Sequence, residues 1–171
     1  MEELKRRIRH IPDFPKPGIL FYDVTTLLKD RDGFQRAIEA MAAPHTDAGV
    51  ELIVGIESRG FIFAAALADR LRAGFAPVRK PGKLPGKTRK VSYALEYGSD
   101  SLEIHEDAAT AGERVLIVDD LLATGGTAAA TVALVKGTGA RVVGVQFLIE
   151  LTALGGRAKL PGEKVGTVLT Y

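Results

Sequence analysis

Runs of aliphatic residues recur along the chain at intervals that leave room for a helix between them. Glu51 to Ile56, Phe75 to Val78, Leu116 to Val118, Arg141 to Ile149 and Val165 to Leu169 read as strands, and the Leu116 run is apolar enough to be buried on both faces. Between them, the spacing of Phe34, Ile38 and Met41 predicts a helix from Asp32 to near Pro44. Gly60 to Leu71 predicts an alanine-rich second helix, and Thr127 to Val135 a third that stops at Gly137 or Gly139. Upstream, Leu4, Ile8 and Ile11 allow a short amphipathic helix ended by Pro12, and Ile11 to Leu28 reads as irregular. Val91 to Leu95 and Leu102 to His105 suit an antiparallel hairpin around Gly98 to Ser101.

Strands alternating with helices predict an α/β fold, a mainly parallel sheet flanked by helices on both faces, with ligands expected beyond the carboxyl ends of its strands. At 171 residues without repeats or composition breaks, one domain spanning residues 1–171 is expected. A net charge of +2 gives no global pull toward nucleic acid or acidic membranes, and the absence of cysteine excludes disulfides, thiolate nucleophiles and cysteine-ligated metals. No apolar run approaches the roughly 20 residues of a spanning helix, so a cytoplasmic protein with no membrane partner is expected. His10, His45 and His105 share no metal-ligand spacing and read as structural or exposed.

The most specific chemistry lies in Val115 to Thr127, VLIVDDLLATGGT. A buried strand leads into a Thr124-Gly125-Gly126-Thr127 turn that opens a helix, where free N–H groups and the helix dipole favour a phosphate. Asp119 and Asp120 would repel that phosphate unless they serve as acceptors for sugar hydroxyls, directly or through a metal, and a ribose 5-phosphate satisfies both halves. Neither a dinucleotide fingerprint nor a P-loop follows any strand.

This segment resembles the phosphoribosyl pyrophosphate (PRPP) signature of the type I phosphoribosyltransferases. The blocks IPDFPKPGILFYDVTTLL (Ile11 to Leu28), ESRGFIF (Glu57 to Phe63), RKPGKLPGKTRK (Arg79 to Lys90), YALEYG (Tyr93 to Gly98) and FLIELTAL (Phe147 to Leu154) narrow the resemblance to the adenine phosphoribosyltransferases. It implies transfer of a 5-phosphoribosyl group to adenine, giving AMP and pyrophosphate in purine salvage. It implies PRPP contacts from Ser58, Arg59, Arg79, Lys80, Lys83, Asp119, Asp120 and Ala123 to Thr127, with a non-proline cis peptide at Glu57-Ser58. Glu96 is implied as the general acid or base, with Arg59 and Lys83 assisting catalysis, and Tyr97 helping to cover the site. A hood of about residues 1–28 is expected to bind adenine through Ile19, Leu20, Phe21 and Tyr22, although many members carry arginine where Tyr22 stands. Mg²⁺ is expected to arrive with PRPP, near Asp119 and Asp120 and without a dedicated protein cage. A homodimer is implied, because a basic loop residue can reach the neighbouring subunit's site.

Other readings of these residues stay open at this point. Arg59 could form a surface ion pair with Glu57 or Asp69, and Glu96 could be a strand glutamate facing water. The six basic residues of Arg79 to Lys90 suit nucleic acid as well as pyrophosphate, but no aromatic interrupts them for base stacking, and Pro81, Gly82, Pro85 and Gly86 suit a mobile lid over about residues 79–98. The alternatives to adenine transfer are another purine base, or a PRPP-sensing regulator that binds nucleic acid.

Overall fold

The computed structural model describes residues 1–94 and 99–171. In chain order the elements are α1 (Glu2–Lys5), β1 (Arg9–Pro12), β2 (Leu20–Asp23), α2 (Thr25–Leu28), α3 (Arg31–Ala42), β3 (Leu52–Ile56), α4 (Gly60–Leu71), β4 (Gly74–Val78), β5 (Thr88–Ala94), β6 (Ser99–His105), β7 (Arg114–Leu122), α5 (Gly126–Gly137), β8 (Arg141–Glu150) and β9 (Val165–Thr170). Five of the strands form one all-parallel sheet in the order β4-β3-β7-β8-β9. The order reverses direction after β3–β4, so the carboxyl ends of β3 and β7 lie side by side at a topological switch point, where open α/β sheets bind ligands.

Two apolar clusters sandwich this sheet. Alternate residues of a strand point to opposite faces, and β7 sends Val115 and Ile117 to the cluster that contains α5, and Leu116 and Val118 to the cluster under α3 and α4. All four are fully buried, which is why the run lacks the polar alternation of a half-exposed strand. Asp30 caps α3 by accepting a hydrogen bond from the Gly33 amide at 2.6 Å.

Four expectations need correction. The first helix stops at Lys5, and Ile11 lies in β1, which pairs antiparallel with β2 in the register Ile11↔Phe21. The stretch from Ile11 to Leu28 is therefore a hairpin followed by the short helix α2, because the chain reverses where Asp13 and Gly18 take positive φ and the Phe14 amide donates to the Ile19 carbonyl. Thr88 to Lys90 belong to β5, since β6 offers them partners from His105 to Glu103. Finally, β7 continues through Asp119 and Asp120 to Leu122, with β8 pairing as far as Leu122↔Glu150.

Candidate active site

Three pieces of the site hang from carboxyl ends of the parallel sheet, after β7, β3 and β4. After β7, Ala123 to Gly125 turn sharply and α5 starts at Gly126, so the first-turn amides open onto a cavity of about 90 Å³ lined by Asp119, Ala123 to Thr127 and Phe147. Gly125 has φ +80°, and a Cβ there would sit 2.3 Å from the Gly156 carbonyl oxygen, so only glycine lets the turn lie against the loop after β8.

After β3, the Glu57-Ser58 peptide is cis and α4 begins at Gly60. Gly60 has no room for a side chain: its Cβ would stand 2.6 Å from Asp119 Oδ1, so the start of α4 packs directly against β7. Ser58 is exposed, and Arg59 reaches across to donate from Nε to Asp120 Oδ2 at 2.5 Å. Its guanidinium carbon also lies 5.3 Å from the centre of the Phe21 ring. Neither Glu57 nor Asp69 is its partner. One side chain thus joins the β3 loop, strand β7 and the hood.

The two aspartates differ. Asp120 is 5% exposed and neutralised by Arg59, whereas Asp119 lines the cavity and accepts the Asp120 amide at 2.8 Å. Burial, then the negative Asp120 beside it, raises the Asp119 carboxyl well above the usual range.

The basic loop leaves β4 with its first two residues clamped. Arg79 exchanges backbone hydrogen bonds with Glu103 of β6 and donates to Glu57 Oε2 at 3.2 Å. Glu57 Oε2 also accepts the Lys80 amide at 2.8 Å. Burial pulls the Glu57 carboxyl up, but the Lys80 amide and the Arg79 guanidinium outweigh it and hold it below the usual range. Lys80 Nζ contacts Asp100 Oδ2, while Lys83 is exposed in a turn closed by its amide and the Lys80 carbonyl. Glu96 and Tyr97 lie outside the described residues.

In the hood, Phe14, Ile19 and Leu20 are exposed and Phe21 faces Arg59. Tyr22 points elsewhere: strand alternation turns it against His10 and Tyr171, with ring centres 5.0 and 4.3 Å away. Its ring stands apart from the Phe21–Arg59 contact, so any part in base binding falls to its backbone. Of the other histidines, His45 is buried against Gln146 and His105 contacts the Pro85 carbonyl.

Two residues escape the sequence reading as site components. Tyr93 lies with its hydroxyl 3.1 Å from Thr127 Oγ1 and 3.3 Å from Asp100 Oδ2, and Asp100 holds Lys80. The signal was weak: Tyr93 and Asp100 pair across the β5–β6 hairpin, a register that no local pattern announces.

A glycine turn that opens a helix after a parallel strand bearing two acidic residues, beside an arginine-bearing loop on the next strand, is the arrangement of a type I phosphoribosyltransferase. The phosphoribosyl transferase domain model matches residues 24–163. The chain is 59% identical to the adenine phosphoribosyltransferase of Symbiobacterium thermophilum over 99% of each chain. The crystal structure of adenine phosphoribosyltransferase from Rhodothermus marinus superposes with a TM-score of 0.96 at 54% identity, covering 99% of this chain and 97% of that one. The Saccharomyces cerevisiae enzyme, solved with an imino-altritol bisphosphate and adenine, gives 0.92 at 44% identity, over 98% and 97%. The chain belongs to the adenine phosphoribosyltransferase family.

Proposed function

We propose that this chain transfers the 5-phosphoribosyl group of PRPP to adenine, forming AMP and pyrophosphate. The observation that carries the reading is the Arg59–Asp120 contact, which ties the loop after β3 to the acidic end of β7, just ahead of the Ala123 to Thr127 turn and beside a hood of exposed apolar residues. Ala123 to Thr127 hold the 5-phosphate at the start of α5, Asp119 and Asp120 face the ribose, and Ser58, Arg59, Arg79, Lys80 and Lys83 meet the leaving pyrophosphate. Adenine, held by Ile19, Leu20, Phe21 and the backbone at Tyr22, attacks C1′ on the face opposite the departing pyrophosphate. Carboxylates beside the ring stabilise the oxocarbenium character of the transition state. Glu96 is assigned the proton on the purine.

Mg²⁺ bound to the pyrophosphate suits the donors present. Asp119 is the carboxylate open to the cavity, and Mg²⁺ takes one or two protein carboxylates with substrate oxygens and water completing its shell. When bound it neutralises charge on the leaving group. We assign a homodimer, supported by exposed Phe75 on the edge strand β4 and exposed Ile62 on α4. A cytoplasmic setting suits the cysteine-free chain; among the described residues no helix is long and apolar enough to cross a membrane.

The test is to incubate the purified protein with PRPP, Mg²⁺ and each purine base in turn. AMP formation from adenine in clear preference to products from hypoxanthine, guanine or xanthine is expected. Preference for a 6-oxopurine, or salt-sensitive RNA or DNA binding without AMP formation, overturns the proposal.

A further inference from the structure

We propose that Asp100 is a positioning residue that presents Lys80 to the pyrophosphate and ties the basic loop to the phosphate cradle through Tyr93 and Thr127; this rests on the functional reading above. Three parts of the site meet at Lys80. Its amide is held by Glu57 of the β3 loop, its ammonium by Asp100 of β6, and the same Asp100 oxygen lies 3.3 Å from the Tyr93 hydroxyl. Tyr93 in turn stands 3.1 Å from Thr127 Oγ1, in the first turn of α5.

The geometry is built from register. Tyr93 and Asp100 are directly opposed on β5 and β6, and Arg79 pairs with Glu103 on the same strand as Asp100. The Tyr93 ring also packs over Gly126, where a Cβ would meet it at 3.3 Å, so the hairpin rests on the start of α5. A lysine is a point charge on a flexible four-carbon stem, and held by its backbone alone it would sweep a wide volume. Asp100 restricts that volume beside the β3 loop. Burial works against the Lys80 charge, but Asp100 and Tyr93 outweigh it and hold the ammonium above its ordinary range.

The Lys80 and Asp100 side chains are 44% and 29% exposed, so their coupling falls in the range of exposed pairs, about two- to fivefold in affinity. The experiment compares wild type, Asp100→Asn, Asp100→Glu, Lys80→Gln and the Asp100→Asn/Lys80→Gln double variant. It reads kcat, KM for PRPP and for adenine, PRPP affinity by titration calorimetry, and thermal unfolding. Asp100→Asn is expected to weaken PRPP two- to fivefold by both KM and calorimetry, with kcat, adenine KM and unfolding temperature unchanged. Asp100→Glu should restore most of the loss, and Asp100→Asn should add little once Lys80 is glutamine. Unaltered PRPP affinity in Asp100→Asn, an equal loss with or without Lys80, or a fall in all parameters together with the unfolding temperature overturns the assignment. Wild-type protein that binds PRPP without forming AMP counts against the reaction instead, because the calorimetry still tests Asp100.

Discussion

Replacing Arg59 by alanine separates the site's structural and chemical demands. The Arg59 side chain is 39% exposed and that of Asp120 is 8% exposed, with 2.5 Å between Nε and Oδ2. Removing the guanidinium leaves a buried carboxylate without its cation. An orphaned buried acceptor costs about 1–3 kcal/mol, or roughly 2–12 °C in unfolding temperature for a chain of this size. Turnover should suffer more. A preorganised donor aimed at charge that develops in the transition state is worth about 3 kcal/mol, so AMP formation at saturating adenine and PRPP should slow about a hundredfold or more. Arg59→Lys keeps the charge but loses the planar fork that spans Asp120 and the Phe21 face, and should recover only part of the rate. Steady-state AMP formation and a thermal melt of the same samples decide the matter. Turnover within threefold of wild type in Arg59→Ala would refute the pyrophosphate assignment, whatever the melt shows.

Two further substitutions probe the cradle and the hood. Gly125→Ala forces a side chain into a left-handed conformation, costing about 1–2 kcal/mol, and against the Gly156 carbonyl; PRPP KM should rise at least tenfold with a lower unfolding temperature, and an unchanged KM would show that the turn does not hold phosphate. Asp23 is held at a pKa of about 2, from an ordinary value of 3.8, by Thr25 hydroxyl and amide bonds and by Arg9. A depressed carboxylate stabilises the fold above its unfolded pKa and stops doing so as pH falls through the folded one. Asp23→Asn should therefore cost about 2 kcal/mol at neutral pH, a gap that narrows between about pH 4 and pH 2 in urea unfolding; a gap independent of pH would remove the carboxylate from the account.

Local signals explain what was legible. Gly60 to Leu71 and Leu116 to Val118 declare themselves because alanine-rich and aliphatic runs have few alternatives to burial, and the TGGT turn carries its φ requirement in its own residues. What stayed hidden depends on distant partners. Ile11 follows β2 into a strand, against the helical spacing of its neighbours, and Thr88 to Lys90 pair only because β6 stands opposite. Arg59 meets Asp120 sixty-one residues away, and Tyr22 turns from the site by strand alternation, which the irregular reading of its segment could not supply.

The neighbouring positions of β3 and β7 give the sheet a metric role. The two strands run in register from Leu52↔Val115 to Gly55↔Val118, so Glu57 leaves β3 about one strand spacing, ~4.8 Å, from the acidic pair on β7, and Ala123 leaves β7 three residues further along. Backbone hydrogen bonds set that interval, and side-chain motion cannot stretch it. On the proposed assignment of these two segments, the fold gauges length before it reads chemistry: a sugar carrying anions on opposite ends would meet both, while free pyrophosphate or a simple phosphate monoester would meet one.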